Sequence, residues 1–253
     1  MRFTPIAIIT HIRLALSFLS RVPVGNIASP LPALHNCFWA FGCVGFGFGA
    51  GYAAIIWVGD LLGMAPLIAA ALAIAGGLIL SGGLHEDGFA DMTDGFGGGS
   101  TAKDKLRIMK DSYIGSFGVC ALILILVMRI TALSVLSEDF ASQWIMLLLS
   151  LGIIAGFSRL CMAGILIFLP PARKGGLGHE FSVKQNAAEA RQNLLIGALI
   201  LLVCAFFAPV SVMGVLVVMA GFSVVVAQLS RRQIGGQTGD ICGAVQLVSE
   251  TAG

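Results

Sequence analysis

Charged side chains are scarce in this chain of 253 residues. Only 11% of the residues are Asp, Glu, Lys or Arg, whereas 57% are hydrophobic, and an average soluble domain is about 25% charged. A water-soluble domain of this length would need more charge to cover its surface, so lipid is the expected solvent for most of the chain. The net charge of +2 and the lack of a basic tail exclude a nucleic-acid partner.

Two further patterns are missing. The six cysteines form no CxxC pair and lie mostly in apolar runs, which is typical of small apolar fillers rather than metal ligands. A secretory signal is not indicated, because His11 and Arg13 interrupt the first apolar stretch and Arg21-Val-Pro replaces a small-residue cleavage site. Residues 6–20 are predicted instead to form an amphipathic helix in the membrane interface.

Long apolar runs dominate what is present. A helix needs about 20 apolar residues to span a bilayer, and the candidate spans are residues 37–58, 61–84, 114–136, 143–169, 194–208 and 211–229. The predicted fold class is therefore an all-α membrane protein, with six transmembrane helices and an N-terminal interfacial helix in one polytopic domain (residues 1–253). Two GxxxG spacings, Gly45/Gly49 and Gly47/Gly51, predict close packing within the bundle and leave a homo-oligomer open.

Basic residues are divided unequally between the loops. With six spans, the loops on one side hold no Lys or Arg, and the other side holds thirteen of the fifteen. The positive-inside rule then predicts that the basic loops and both termini are cytoplasmic. The expected location is the bacterial inner membrane, with active-site loops at residues 82–113, 170–193 and 230–253.

Acidic residues are concentrated in the first of these loops. Asp87, Asp91 and Asp94 fall within about a 60° arc of one helical face, whereas Glu86 points roughly 100° away. Aligned carboxylates repel one another, and a divalent cation would remove that conflict. Oxygen ligands favour Mg²⁺ or Mn²⁺ over zinc, and the spacing has room for two ions, the arrangement used in phosphoryl displacement. A solvated acidic face is the alternative interpretation.

Cations and glycines accompany the carboxylates. Gly98 and Gly99 could present backbone N–H groups to an anion, and Lys110 belongs to a basic cluster that could equally contact lipid headgroups. Arg173 and Lys174 precede a glycine-rich stretch, a pattern that predicts a diphosphate cradle.

Three further positions are candidates for the site. Arg159 lies inside a predicted span, where a charge costs at least ~2.5 kcal/mol, so it should face the bundle interior and have a partner. With Arg173 and Lys174, it is also a candidate to neutralise charge on phosphoryl oxygens. Arg129 is expected to snorkel to the interface instead. Asp240 lies among glycines near the C-terminus, which indicates a binding turn, and Asp111 stands at a membrane boundary.

Motifs spread along the whole chain resemble the cobalamin (5′-phosphate) synthases, a family also described as adenosylcobinamide-GDP ribazoletransferases. The motifs, by first residue, are FLSRVPV (Phe18), GLHEDGFADMTDG (Gly83), IMKDSYIGSFG (Ile108), ARKGGLG (Ala172) and IGGQTGDICGA (Ile234). Glu86 departs from the family pattern, in which an apolar residue is common.

The resemblance implies a membrane-bound, Mg²⁺-dependent reaction. In it, α-ribazole or its 5′-phosphate displaces GMP from adenosylcobinamide-GDP, which gives adenosylcobalamin or its 5′-phosphate. These small molecules and the lipid bilayer are the expected partners. We expect the three aspartates to hold Mg²⁺ on the diphosphate, with Asp94 also counted as catalytic. Asp111 or His85 would take the proton of the attacking hydroxyl.

Two other functions share some of these features. A CDP-alcohol phosphotransferase also carries an Asp-x-x-Asp-Gly signature, but Gly98-Gly99 stands where that family has Ala-Arg. A cation-coupled transporter would place acids at the bilayer midplane, whereas the acids here lie in loops or at helix ends.

Overall fold

Helices make up nearly all of the regular structure. A computed structural model describes residues 4–27, 29–140, 143–174 and 186–253, and within these ranges it has no β-strand. The helices of this part of the chain are α1 (Pro5–Leu19), a 3₁₀-helix (Leu34–Cys37), α2 (Phe38–Leu61), α3 (Pro66–Ser81), α4 (Leu84–Gly98), α5 (Ala102–Ile108), α6 (Ser116–Asp139), α7 (Trp144–Phe168), α8 (Ala187–Ala205), α9 (Ser211–Ile234) and α10 (Gly239–Ala252). The predicted all-α fold is confirmed.

Five helical segments in the described ranges are long and apolar enough to cross a membrane. They are Leu34–Leu61, Ser116–Asp139, Trp144–Phe168, Ala187–Ala205 and Ser211–Ile234. Helices α3 and α4 together provide a sixth candidate, although they are bent by 89° where they meet. The prediction of six spans is met when this bent pair counts as one.

The N-terminal helix α1 has one face in contact with the protein. Thr4 caps it by accepting a hydrogen bond from the N–H of Ala7. Ala15 and Leu19 are fully buried, whereas Ile6 is 80% exposed. This division agrees with the predicted amphipathic helix, and its position in the membrane interface stays a prediction.

The second span ends earlier than predicted. Helix α3 stops at Ser81 because Gly82 and Gly83 adopt φ values of 70° and 71°, which favour glycine. Helix α4 then runs at nearly a right angle to α3, and its acidic residues set it apart from the apolar helices. The acidic stretch is therefore a helix in its own right rather than a loop.

Helices α2 and α7 form the closest pair in the bundle. A Cβ atom at Gly45 would lie 2.4 Å from the carbonyl oxygen of Ala155, and one at Gly49 would lie 2.0 Å from that of Leu151. The second GxxxG pair, Gly47 and Gly51, meets nothing within 4 Å. The predicted packing within the bundle is thus confirmed for one glycine pair.

The C-terminal segment differs most from expectation. We predicted a cytoplasmic loop over residues 230–253, but α9 continues to Ile234 and α10 occupies Gly239–Ala252. Thr238 caps α10 by accepting from the N–H of Ile241 at 3.3 Å. The helix packs against α4, α7 and α9, and its residues 241–247 are all buried. The expected turn is therefore confined to the few residues before Thr238.

Candidate active site

The carboxylates of α4 face an open cleft of about 850 Å³ at the end of the bundle. Asp87 and Asp91, one helical turn apart, both line it. Lys110 and Asp111, which follow α5, line the same cleft. The structure thus brings together four residues that the sequence singled out: two aspartates on α4 and an adjacent lysine and aspartate after α5.

Negative charge in this cleft is not fully compensated. Burial and, to a smaller extent, the neighbouring charges of Asp87, Asp240 and Asp94 together raise the pKa of Asp91 to about 7, while Arg173 opposes the shift. A carboxyl group whose pKa is raised this far is both withdrawn from water and close to like charges. This is the electrostatic condition that a bound cation would relieve.

Asp240 comes close to Asp87 and Asp91 from the far end of the sequence. The chain at Pro170 pairs with the turn before α10, because the N–H of Gln237 donates to the Pro170 carbonyl at 2.8 Å and the N–H of Ala172 donates back at 2.9 Å. This pairing sets the Arg173 guanidinium 3.7 Å from the Asp240 carboxylate. Burial nevertheless raises the pKa of Asp240.

A glycine in α4 permits this approach. A Cβ atom at Gly88 would lie 2.8 Å from the backbone oxygen of Asp240. Helices α4 and α10 therefore touch at the backbone, which brings Asp240 close to Asp87. Asp240 was predicted to bind substrate from a loop, and the structure places it in the first turn of a helix instead.

Asp94 points away from the cleft towards α6. Its two carboxylate oxygens accept hydrogen bonds from the N–H groups of Gly115 at 2.6 Å and Gly118 at 2.8 Å. A carboxylate at the start of a helix satisfies N–H groups that lack partners and stabilises the helix dipole. Through these two hydrogen bonds, Asp94 connects α4 to the start of α6.

The three predicted ligands consequently do not form a closed metal cage. No group of three or more His, Cys, Asp or Glu side chains within the described ranges is arranged to hold an ion. Magnesium, however, commonly binds one or two carboxylates together with substrate phosphates rather than an all-protein cage. Asp87 and Asp91, both open to the cleft, fit that mode of binding, and Asp94 is not needed for it.

A second charged cluster lies inside the bundle. The Arg159 guanidinium pairs with Glu250 of α10, and Arg129 pairs with both Glu250 and, at 3.3 Å, Glu86. Arg159 therefore faces the interior and has a partner, as predicted. Arg129 is 5% exposed, so the expectation that it snorkels to the interface is wrong.

Further hydrogen bonds satisfy several of the polar atoms in this cluster. Arg159 also donates to the carbonyl of Ala155 at 3.0 Å and lies 4.8 Å from the centre of the Phe48 ring. Gln246 donates to Ser158 at 3.1 Å and to Glu250 at 2.6 Å. Arg159 does not line the cleft, so the structure does not bring this predicted phosphate ligand to Asp87 and Asp91.

Sequence reasoning missed Glu250 and Gln246. Two arginines inside apolar helices need acidic partners, and Glu250 is the partner that they share. Its separation of four residues from Gln246 puts both side chains on one face of a helix. That signal was present, but it required α10 to be recognised as a buried helix.

The two candidate proton acceptors occupy different environments. His85 is 2% exposed and lines a smaller chamber of about 150 Å³ beside Asp87 and Asp240. Asp111 is exposed in the cleft, where its carboxylate accepts from the N–H of Tyr113 at 3.2 Å. Of the two, Asp111 has the open access that a proton acceptor needs.

The remaining predicted residues vary in their fit. Gly98 and Gly99 end α4, and the N–H of Gly99 donates to the Gly95 carbonyl at 3.0 Å, so it is not free for an anion. A Cβ atom at Gly99 would lie 2.7 Å from the backbone nitrogen of Lys105, so this glycine lets α5 approach α4. Lys174 is exposed beside Arg173, and the glycine-rich stretch after it lies outside the described residues.

Comparison with known proteins gives a consistent result. Residues 11–253 match the profile of the family described as cobalamin-5-phosphate synthase. A protein of Azorhizobium caulinodans named adenosylcobinamide-GDP ribazoletransferase is 38% identical, with 97% of this chain and 94% of that protein covered. A protein of the same name from Bradyrhizobium diazoefficiens is 36% identical, with coverage of 96% and 91%. No solved structure is significantly similar.

Proposed function

Because the chain belongs to the cobalamin-5-phosphate synthase family, we propose that it is an adenosylcobinamide-GDP ribazoletransferase. It joins α-ribazole, or its 5′-phosphate, to adenosylcobinamide-GDP and releases GMP, as one of the last steps in assembling the nucleotide loop of cobalamin. The similarity to ribazoletransferases over nearly the full length of both chains supports this activity. The crowded, open carboxylates of α4 are the structural observation that carries it.

The identity of the products defines the bond that breaks. GMP leaves, so a ribazole hydroxyl oxygen forms a bond to the phosphorus next to cobinamide, and the P–O–P bridge to GMP is cleaved. The charge that develops on the phosphoryl oxygens must be neutralised in the transition state. The cleft must therefore hold cationic groups near a diphosphate.

We propose that Asp87 and Asp91 hold Mg²⁺ together with the substrate diphosphate. A bound Mg²⁺ would neutralise phosphate charge and make GMP a better leaving group. The raised pKa of Asp91 supports this assignment, because burial and the neighbouring carboxylates both disfavour its charged form, and a bound cation would favour that form. Asp94 then acts as a positioning residue, which holds α4 against the start of α6.

Basic side chains around the cleft complete the phosphate site. Lys110 lines the cleft, and Arg173 lies beside Asp240 with one guanidinium nitrogen, Nη1, buried and without a hydrogen-bond partner among the described residues. We propose that both contact the diphosphate, with Lys174 next to Arg173. Asp111 accepts the proton of the attacking hydroxyl from the opposite wall.

The orientation follows from the distribution of charge. We propose that the cleft and both termini face the cytoplasm across the bacterial inner membrane, because the basic residues gather on the cleft side. Labelling tests this in a variant without the six native cysteines: a cysteine at Asp139 should react with an impermeant thiol reagent from outside, and one at Lys103 should not. The reverse pattern would contradict the orientation.

Turnover of defined substrates tests the activity. Purified protein in lipid nanodiscs should release GMP from adenosylcobinamide-GDP only when α-ribazole or its 5′-phosphate and Mg²⁺ are both present. The matched reaction with a CDP-alcohol donor and a polar alcohol should give no CMP. Release of CMP, or full activity in excess chelator, would contradict the assignment.

A further inference from the structure

We propose that the small chamber beside the cleft is the subsite for the benzimidazole base of ribazole. This inference rests on the proposed function and deepens it. The chamber lies where the beginnings of α4 and α10 meet the C-terminal part of α7, and its volume is about 150 Å³.

The size and walls of the chamber suit one flat aromatic group. Apolar side chains from three helices form most of its walls, namely Phe18, Leu84, Met162 and Leu166, and the polar residues at its edge are His85, Asp87 and Asp240. A cavity of about 150 Å³ with apolar walls is known to bind a ligand as small as benzene. The chamber is therefore matched to a small aromatic ring system and is far too small for the corrin ring.

One polar side chain in this apolar setting has no partner. His85 is 2% exposed, and neither of its ring nitrogens has a hydrogen-bond partner among the described residues. A neutral imidazole offers one N–H donor and one acceptor, and leaving buried polar groups unpaired is unfavourable. A ligand that supplies one hydrogen-bonding atom here would remove part of that cost.

The benzimidazole base fits this requirement better than guanine does. In a nucleoside, benzimidazole keeps a single ring nitrogen that can accept a hydrogen bond, and His85 can donate to it. Guanine presents more acceptors along its edges (O6, N7 and N3) than the donor of His85 can serve, because the other polar side chains of the chamber, Asp87 and Asp240, are carboxylates that only accept. The chamber therefore selects the base of ribazole rather than that of the leaving nucleotide.

The position of the chamber also suits the reaction. Asp87, Phe18 and Leu84 line both the chamber and the cleft, so the two spaces adjoin. A base held in the chamber places its ribose at the Asp87 side of the cleft. The attacking hydroxyl would then lie next to the carboxylates that are proposed to hold the diphosphate.

Steady-state kinetics with each substrate varied in turn test the subsite. His85→Phe keeps a flat ring but removes the donor, so KM for α-ribazole should rise by about 10-fold, the value of one hydrogen bond. KM for adenosylcobinamide-GDP should stay within about twofold. His85→Gln retains a donor and should recover part of the loss. Leu166→Trp fills the chamber and should abolish binding of α-ribazole.

A matched control and a direct binding measurement complete the test. Leu124→Trp makes the same change on the exposed face of α6, where Leu124 is 66% exposed, and should leave both KM values unchanged. Calorimetry with α-ribazole alone measures the subsite without turnover. If wild type binds α-ribazole there but releases no GMP, the proposed function fails while the subsite stands.

Other outcomes would overturn the subsite while leaving the function intact. A rise in KM for adenosylcobinamide-GDP alone would assign the chamber to guanine. A fall in kcat for His85→Phe with unchanged KM for α-ribazole would make His85 the proton acceptor. Unchanged kinetics in both His85→Phe and Leu166→Trp would leave the chamber without a ligand.

Discussion

Glu86 and Asp87 are neighbours in sequence but belong to opposite electrostatic environments. Glu86 turns into the bundle, where Arg129, Arg159 and Glu250 complete a cluster of two positive and two negative charges. Asp87 turns to the cleft, where its charge adds to the effect of burial in raising the pKa of Asp91 to about 7. Successive residues of a helix point about 100° apart. Glu86 therefore pairs with charges inside the bundle, whereas Asp87 remains available to a ligand in the cleft.

The comparison predicts the largest effect on folding at the centre of the buried cluster. Glu250→Ala would leave both buried arginines without their shared partner, and breaking a buried pair typically costs about 3–5 kcal/mol. We expect most of the protein to be lost from the monodisperse peak in fluorescence-detected size-exclusion chromatography. Glu138→Ala, an exposed acid at the end of α6, is the control and should elute like wild type. Equal recovery of the two would show that the cluster is dispensable.

In contrast to Glu250→Ala, Asp91→Asn should have a large effect on activity and little effect on the fold. The substitution keeps the size of the side chain but removes one charge, so GMP release should fall by at least ~10²-fold, the scale of one lost electrostatic contact in the transition state. Without metal, the variant should melt at a higher temperature than wild type, because repulsion from Asp87 is relieved.

Asp104→Asn is the matched control for this prediction. Asp104 lies in the same segment, but its carboxylate pairs with Thr101 in the capping box of α5 and does not line the cleft. Its effect on turnover should be small. If Asp104→Asn and Asp91→Asn reduce activity alike, the two-carboxylate site is wrong.

Arg159→Lys tests to which of the two regions Arg159 belongs. Lysine keeps the charge but loses the planar guanidinium, whose Nη1 serves both Glu250 and the Ala155 carbonyl and whose plane lies near the Phe48 ring. We expect a lower melting temperature, while KM for adenosylcobinamide-GDP changes little. An unchanged melting temperature with a large rise in that KM would instead restore Arg159 to the phosphate site, as the sequence predicted.

The sequence was informative where local periodicity decides the structure. The spacing of Asp87 and Asp91 placed both on one helical face, and apolar runs located the spans. The hydrogen bonds of Asp94 to the backbone of Gly115 and Gly118 were not predictable, because they depend on how the start of α6 packs against α4. The C-terminal helix was missed because Gln246 and Glu250 look like an ordinary polar tail until Arg129 and Arg159 are seen to need partners.

The smallest expected effect concerns pH, and it again separates the two regions. A carboxyl whose pKa is raised from its usual value near 4 to about 7 binds its proton more tightly in the folded protein than in the unfolded chain. The metal-free protein should therefore lose stability as pH rises between about 4 and 7. Magnesium should reverse this trend, and its affinity should weaken below pH 7, where protons compete for Asp91. Melting temperatures measured across this range in chelator should fall with pH for wild type and change less for Asp91→Asn. If the melting temperature falls equally with pH in both proteins, a group other than Asp91 binds the proton. The proposed difference in charge compensation between the cleft carboxylates and the paired carboxylates of the bundle would then be wrong.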